Sequence, residues 1–370
     1  MRISTLSRWL WRFTLTGLAL YGVLSLFPLT YWPWRWMDFF QRVEGACTPD
    51  TNFVIIDVGH LSRPQIAMLL QRVAAQKPRV IVMDLYFAYR QGPEADSLLR
   101  ETLCQVTATL PLYLPSDIQD AAAPGEKPSM PVSDPFFATC TRKAFANLLY
   151  QESLGGRIIR YARLYHDTPT GTEPSLAWAA VLHLDSARLA GRRLPPVSPI
   201  RYRGNIACFY FFVGKDLITD TLPLPLLSQK AVFIGLADPL YKYTEDLFFS
   251  PMGIRPLALT MPDMYGVVIH ANIASMLYHQ NFWKPVHPAF VYFVAGLGFV
   301  ILGILADAGM RYVYIRVRLA QIALILLLGA LFALLSRHGY WVDAEGAFLT
   351  LFIGGEMCLL TAPGRKSILA

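Results

Sequence analysis

Two kinds of hydrophobic pattern divide the chain. Four runs are apolar almost throughout and carry few or no charged residues, and a helix needs about 20 such residues to cross the core of a bilayer. Between the first and the second run lies a long stretch of ordinary polarity, punctuated by Pro and Gly, which we expect to be exposed to water. We therefore predict transmembrane helices at residues 13–34, 288–306, 319–336 and 347–363, and a large domain at residues 35–287.

Within residues 35–287, short apolar strands alternate with amphipathic helices. Residues 53–58 and 80–87 are strand-like runs, and residues 65–76 between them place apolar side chains at helical spacing. Continuously apolar strands joined by such a helix are typical of a parallel sheet covered on both faces. The predicted fold class is an α/β extracytoplasmic domain with a largely parallel sheet, plus a four-helix transmembrane portion. Further elements are helices at residues 94–105, 174–184 and 265–280 and strands at residues 157–165, 199–203 and 230–236.

Composition and charge support a membrane protein. Apolar residues make up 54% of the chain and charged residues only 16%, which is unusual for a wholly water-soluble protein. The formal net charge is +7, and the surplus lies in flanks on one side of the predicted spans. Cytoplasmic flanks retain Lys and Arg during insertion, so the position of this charge predicts the membrane topology and a lipid bilayer as partner. Because the topology accounts for the surplus, we expect no nucleic-acid partner. We expect a bacterial inner membrane, with cytoplasmic segments at residues 1–12, 307–318 and 364–370 and an outer loop at residues 337–346.

Four of the five cysteines fall in the predicted outer domain. In an oxidising compartment four thiols can form two disulfides in three different pairings, among which sequence does not choose. Four buried, unpaired thiols are an equally weighted alternative. No C-x-x-C occurs and the histidines show no metal-ligand spacing, so we expect no metal and no cofactor. The candidate disulfide residues are Cys47, Cys104, Cys140 and Cys208.

Several motifs, in a fixed order, resemble one known family. Residues 54–57 (VIID), 79–84 (RVIVMD) and 230–235 (KAVFIG) are followed by Asp246 and by residues 266–272 (GVVIHAN). This series is similar to the type-two CHASE domain, an extracytoplasmic sensor module attached to cyclases and histidine kinases. One membrane span before the domain and three after it also resemble that family. The resemblance implies an extracytoplasmic sensory module over most of the chain.

Five polar residues are candidates for ligand binding. We expect Asp57 and Asp84 to end neighbouring strands at the carboxyl edge of the sheet, where open α/β sheets bind ligands, so that they could hold a cation or a polar effector. The alternative, which we favour, is that they accept backbone N–H bonds from the loops that follow. His270 and Asn272 lie near the start of a helix. The histidine could sense pH, although anchoring of the helix is the favoured role, and Asp246 is added by the family resemblance.

A carboxylate in the fourth predicted span is a candidate intramembrane contact. We expect Glu356 near the middle of that span, beside Gly354 and Gly355. An ionised carboxylate is costly in lipid, and glycines allow a second helix to approach closely. We therefore expect Glu356 to make an interhelical hydrogen bond, within the bundle or to a partner span, with proton translocation as the alternative.

The sequence contains none of the common hydrolase, P-loop, metalloprotease or dinucleotide-binding motifs, and we expect a protein that is not an enzyme. Residues 364–370 are too few to form an output domain. Polar positions of the sensor family are replaced here, for example at Val58-Gly59. The favoured hypothesis is therefore an accessory or structural subunit of an envelope complex that docks other membrane or periplasmic proteins, or a second copy. The alternative is a sensory subunit that binds a small extracytoplasmic ligand and signals laterally to a separate membrane output protein.

Overall fold

The computed structural model divides the chain into two compact units. The α/β unit comprises Gly45–Gln151 and Arg157–Phe282, and the helical unit comprises Met1–Glu44, Glu152–Gly156 and Trp283–Ala370. The described residues are 5–26, 35–43, 47–118, 133–153, 156–168, 171–190, 194–219, 225–242, 244–253, 262–308 and 312–362.

Helices and strands alternate along the α/β unit as the hydrophobic pattern predicts. The strands of the chain are β1 (Asp50–Asp57), β2 (Val80–Met83), β3 (Leu112–Ser116), β4 (Arg142–Phe145), β5 (Leu149–Ser153), β6 (Gly156–Arg163), β7 (Tyr165–Thr168), β8 (Gly171–Pro174), β9 (Val197–Pro199), β10 (Phe209–Val213), β11 (Ala231–Gly235), β12 (Leu247–Phe248), β13 (Met264–Tyr265), β14 (Lys284–Pro285) and β15 (Tyr340–Trp341). The helices are α1 (Thr5–Leu26), α2 (Trp36–Val43), α3 (Arg63–Ala75), α4 (Pro93–Thr109), α5 (Pro135–Ala138), α6 (Leu176–Leu184), α7 (Gly214–Thr219), α8 (Gly266–His279), α9 (Pro288–Asp307), α10 (Val313–Arg337) and α11 (Glu345–Leu360).

The central sheet of the α/β unit has six strands in the order β10-β1-β11-β2-β3-β4. Every neighbouring pair is parallel, which confirms the predicted largely parallel sheet. β11 lies between β1 and β2, so the expectation that Asp57 and Asp84 end neighbouring strands is wrong. The local pattern could not reveal this insertion, because β11 comes from a segment far along the chain.

Helices cover both faces of this sheet. Along β1, Val54 and Ile56 face a core built with α3, α4 and α7, whereas Phe53 and Ile55 face a core built with α6 and α8. This alternation follows from the two-residue period of a strand. The chain therefore leaves β1 toward one face, into α3, and leaves β11 toward the opposite face, into α8. The carboxyl ends of β1, β11 and β2 flank this reversal, which is where open α/β sheets bind ligands.

The helical unit is a bundle in which α9 packs on α10 and α11, and α1 packs on α11. Within the described part of the chain, two helices are long and apolar enough to cross a membrane, α9 and α10, where the sequence predicts four. The helix α11 has 16 residues, about 24 Å of helix for a hydrocarbon core of about 30 Å. The helix α1 includes Arg8 and Arg12, and residues 27–34 of the first predicted span lie outside the described residues.

Ion pairs join the helices at one end of the bundle. Arg12 on α1 is fully buried, and its guanidinium donates to both carboxylate oxygens of Asp307 at 2.9 Å. It also donates to the carbonyl of Gly303 at 3.2 Å and to the hydroxyl of Thr361 at 2.7 Å. A buried cation needs such compensation, and these bonds connect α1 with the ends of α9 and α11. At the opposite end, Glu345 at the start of α11 accepts the N–H of Trp36 at 2.6 Å.

Two disulfides stabilise the α/β unit. Cys47 pairs with Cys208 and Cys104 pairs with Cys140 in the structure, which is one of the three pairings that the sequence leaves open. The first bridge closes a separation of 161 residues and the second one of 36 residues. Long loops lose more conformational entropy in the unfolded chain when they are closed. The Cys47–Cys208 bridge therefore constrains the unfolded state more strongly.

Candidate ligand site at the carboxyl edge of the sheet

Asp57, at the end of β1, is held by backbone donors. Its Oδ1 accepts the N–H of Gly59 at 3.0 Å and the N–H of Ala237 at 2.9 Å. Gly59 has a φ of 45°, a left-handed conformation that favours glycine, and this turn brings its N–H back to the carboxylate. Burial raises the pKa of Asp57, and the two N–H bonds oppose this effect. Asp57 therefore joins the loops after β1 and β11, as the capping alternative predicts.

Asn272 on α8 is also fully occupied within the fold. Its Oδ1 accepts the N–H groups of Arg203 and Gly204 at 2.8 and 3.2 Å. Its Nδ2 donates to the carbonyls of Gly204 and Val268, both at 2.9 Å. The side chain is completely buried, and a carboxamide has two donors and two acceptor sites. Asn272 thus holds the turn at Gly204 against α8 and has no capacity left for a ligand.

Asp84 and Asp246 meet at the start of α8. A Cβ atom on Gly266 would lie 2.9 Å from both carboxylate oxygens of Asp246 and 3.1 Å from Asp84 Oδ2, so glycine leaves room for two carboxylates. A Cβ on Gly235, at the end of β11, would lie 2.8 Å from Val267 Cβ, which lets the first turn of α8 approach the sheet. Both carboxylates therefore face the N-terminal end of α8, where the helix dipole favours negative charge.

His270 lies one turn further along α8 and completes the cluster. Its side chain is 3% exposed, and its Nε2 lies 3.9 Å from Asp84 Oδ2, which is too far for a hydrogen bond. Its Nδ1 lacks a hydrogen-bond partner among the described residues. Buried polar groups in native proteins are nearly always bonded, and an exception points to water, an ion or a ligand. His270 is therefore the strongest mark of a ligand site in the α/β unit.

The cluster is electrostatically unusual. Burial raises the pKa of Asp84, and His270 opposes the change. The residue Asp246 is exposed as a whole, but its carboxylate packs against α8, and this desolvation together with the charge of Asp84 raises its pKa well above the usual range. Burial lowers the pKa of His270, which Asp84 and the Ala146 carbonyl oppose. Burial therefore disfavours the charged form of all three groups.

Sequence reasoning missed two further groups that face this cluster. Burial raises the pKa of Tyr86, and the charges of Asp84, Asp117 and Asp246 raise it further. Tyr86 falls within the predicted strand at residues 80–87, but β2 ends at Met83, so residues 84–87 form a loop at the carboxyl edge. Asp117 follows β3 and accepts a hydrogen bond from Asn147. The sequence signal that could have identified these groups is the presence of acidic residues directly after successive parallel strands.

The candidate residues of the helical unit, Gly354, Gly355 and Glu356, contact the neighbouring helices. Glu356 forms a bidentate ion pair with Arg318 on α10, in which Nη2 donates to Oε2 at 2.7 Å. Because α11 ends at Leu360, Glu356 lies about one turn from the helix end instead of near its middle. Side chains at Gly354 and Gly355 would clash with Phe299 and Gln321. The glycines therefore permit close contact between α11 and its neighbours α9 and α10.

The fold defines a class of protein. An α/β domain with helices on both faces of a parallel sheet carries the cluster of Asp84, Asp246 and His270 at the carboxyl edge of the sheet. Its chain continues into a helical bundle, in which two described helices are long and apolar enough to cross a membrane. The sequence model of the CHASE2 domain family matches residues 15–305, which is most of the chain, and the chain belongs to this family. CHASE2 domains are extracytoplasmic domains of the sensor type. Neither the curated proteins nor the solved structures contain a match to this chain.

Proposed function

We propose that this chain is a membrane-anchored, non-enzymatic sensory subunit whose α/β unit binds a small extracytoplasmic ligand between Asp84, Asp246 and His270. The observation that carries the proposal is the buried His270, whose Nδ1 lacks a hydrogen-bond partner in the described part of the chain. A ligand that bonds to it would remove a desolvation cost that the protein otherwise bears. Membership of an extracytoplasmic sensor family supports the same role.

The proposed anchor has four membrane spans with both termini in the cytoplasm. Arg12, Asp307, Arg318 and Glu356 lie at one end of the bundle and Trp36 and Glu345 at the other, as expected for antiparallel helices that begin and end on one side. Labelling of spheroplasts with a membrane-impermeant maleimide tests this topology. Tyr340→Cys should be labelled in intact spheroplasts and Tyr312→Cys, which replaces an exposed side chain, only after permeabilisation. The reverse pattern would refute the proposed orientation.

A signal requires that the ligand bind two states of the protein with different affinity. In this proposal the moving element is α8, because it carries His270 and its chain continues through residues 280–287 into α9. The output protein is a separate membrane partner. Ligand-dependent hydrogen exchange in residues 266–279 of the full-length protein would support this coupling, and protection confined to residues 84–90 would contradict it.

A metabolite screen on the full-length protein in detergent tests ligand binding. At least one compound should raise the melting temperature of the wild type and of Asp57→Asn but not of Asp84→Asn, because only Asp84 has a carboxylate free of backbone bonds. A ligand that stabilises the native state raises the melting temperature by mass action. A response that Asp84→Asn retains would place the ligand elsewhere.

Docking within an envelope complex is the second candidate function, and the sheet edge at β10 favours it. Among the described strands β10 pairs only with β1, it contains no charged residue, and Val213 is 38% exposed. Uncharged edge strands are templates for pairing with another chain. Under this hypothesis a stoichiometric partner co-purifies with the wild type and with Asp84→Asn but is lost in Val213→Lys. Retention of the partner by Val213→Lys would exclude β10 as the docking edge.

A further inference from the structure

A groove runs between α10 and α11 in the helical unit. Its volume is about 770 Å³, a size typical of small-molecule sites. On α10 the lining extends from Ile325 to Ala333, about 12 Å of helix. Gly329 and Ala330 also line it, and a Cβ atom on Gly329 would come no closer than 3.8 Å to its nearest neighbour, Trp36 Cη2. The groove is therefore an elongated space that the side chains of the bundle leave open.

The lining of this groove is apolar except at one end. Glu345, at the start of α11, is the only charged residue among the described residues that line it. Leu326 on α10 and Phe352 on α11 belong to the lining and are 68% and 55% exposed. Because α10 is long and apolar enough to cross a membrane, such side chains face hydrocarbon in the proposed membrane anchor. A hydrocarbon chain therefore suits most of the length of the groove.

Trp36 on α2 adds a hydrogen-bond donor to this lining. Its Nε1 is buried and has no hydrogen-bond partner in the described part of the chain. The residue itself is held in place, because its backbone N–H donates to Glu345 Oε1 at 2.6 Å and its ring packs on Phe348 with centroids 5.6 Å apart. A buried indole N–H usually finds an acceptor. We therefore expect the occupant of the groove to bring an acceptor to Trp36.

The need for an acceptor selects the occupant. The backbone carbonyls of a second membrane helix are already bonded within that helix, whereas a phospholipid carries ester carbonyls at the membrane interface, where Trp side chains concentrate. We propose that the groove binds one acyl chain of a phospholipid whose ester carbonyl accepts the indole N–H of Trp36. The proposal rests on the membrane anchor of the proposed function and is independent of ligand binding by the α/β unit. In the proposed topology this lipid belongs to the outer leaflet.

The test compares two phosphatidylethanolamines with identical hydrocarbon chains, one ester-linked and one ether-linked, because the ether lipid lacks the carbonyl. The full-length protein, delipidated in detergent, is titrated with each lipid, and binding is followed by native mass spectrometry and by the rise in melting temperature. The wild type should bind the ester lipid about fivefold more tightly, the effect of one hydrogen bond.

Two Trp variants locate this hydrogen bond. Trp36→Phe keeps an aromatic ring in the groove but removes the N–H, and should abolish the preference for the ester lipid. The matched control is Trp341→Phe, which removes an indole N–H that already donates to Asp343 at 3.0 Å, and should retain the preference.

A further variant fills the groove and leaves Trp36 unchanged. Ala330 lines the groove and is exposed, so Ala330→Phe should fold and should abolish the binding of both lipids. Its control is Leu327→Phe, because Leu327 on α10 is 66% exposed but does not line the groove, and this variant should bind both lipids as the wild type does. Circular dichroism establishes that each variant is folded. Equal binding of the two lipids by the wild type, or an ester preference that survives Trp36→Phe, would overturn the proposal.

A second copy of the chain is the competing occupant. In that case Leu326→Cys would form a disulfide-linked dimer in native membranes that Ala330→Phe prevents, and this result would also overturn the proposal. The lipid test is separable from the maleimide labelling of the anchor. If labelling supports the proposed topology but the ester preference is absent, only the lipid proposal fails. If labelling reverses the orientation but the ester preference depends on Trp36, the lipid site stands and the proposed topology fails.

Discussion

Asp57 and Asp84 end two strands of the same parallel sheet, yet their surroundings differ completely. Asp57 accepts two backbone N–H groups, from Gly59 and Ala237, whereas Asp84 accepts no backbone N–H in the described structure and faces a second carboxylate and a buried imidazole. The loop after β1 turns tightly through Gly59 and brings donors back to the sheet edge. The residues after β2 bring no donors back to Asp84, and Asp246 and α8 occupy the space beside it. Position at the carboxyl edge is therefore insufficient to define a ligand site. The decisive property is whether the neighbouring loop supplies donors.

Asn272, like Asp57, is fully hydrogen-bonded within the fold. Its replacement should have the largest effect on stability. Asn272→Ala removes the acceptor for two N–H groups, on Arg203 and Gly204, and each unsatisfied buried donor costs about 1–3 kcal/mol. We expect a loss of about 4 kcal/mol in the free energy of unfolding. Denaturant unfolding of the full-length protein, followed by hydrogen exchange in residues 266–279, measures it. A loss below about 1 kcal/mol would show that the turn at Gly204 finds other partners.

Replacement of Asp57 should have the second largest effect on stability. Asp57→Ala leaves the N–H groups of Gly59 and Ala237 without acceptors, and we expect a loss of about 3 kcal/mol. Asp57→Asn retains a carbonyl oxygen at the same place, so its loss should be about 1 kcal/mol. The same unfolding measurement compares the two. Equal losses would mean that the charge of Asp57, and not its hydrogen bonds, stabilises the loops.

Replacement of Asp84 should have a smaller effect of opposite sign. Burial raises the pKa of Asp84 in the folded protein, so the folded state binds more protons than the unfolded state above the usual pKa of 3.8. The stability that this group contributes is present in acid and is lost as the pH rises through the folded pKa. Asp84→Asn should therefore be as stable as the wild type near pH 4 and more stable at pH 7. Melting temperatures measured across that range test this, and a destabilised variant at pH 7 would show that the Asp84 carboxylate has an unseen partner.

The parallel βαβ start and the helix that became α8 could both be predicted from local pattern, because each depends on the period of nearby residues, whereas the pairing of the cysteines joins distant residues. The insertion of β11 between β1 and β2 could not, since it depends on pairing between distant segments. The same limit applies to the site. Asp84 and His270 are visible in sequence, but their approach to Asp246 depends on the loop between β11 and α8, in which Asp246 has a φ of 59°. Nothing in the pattern distinguishes Asp57 from Asp84.

The smallest expected effect, and the one most specific to a single residue, is on the pH dependence of stability and concerns His270. Burial lowers its pKa below the ordinary value of 6.5, although Asp84 and the Ala146 carbonyl oppose this. The unfolded state therefore binds more protons than the folded state just below pH 6.5, and the contribution of His270 to stability is lost as the pH falls through that region. His270→Gln cannot titrate and should show less destabilisation between pH 7 and pH 5, with His279→Gln, on the same helix but bonded to Asp50 at 2.8 Å, as the comparison. Because Asp84 and His270 respond to acid in opposite directions, each single variant should leave the pH dependence of the other residue unopposed, and the double variant Asp84→Asn, His270→Gln should be flatter than either single variant. A double variant as steep as His270→Gln or Asp84→Asn alone would place the acid response of the α/β unit outside this cluster.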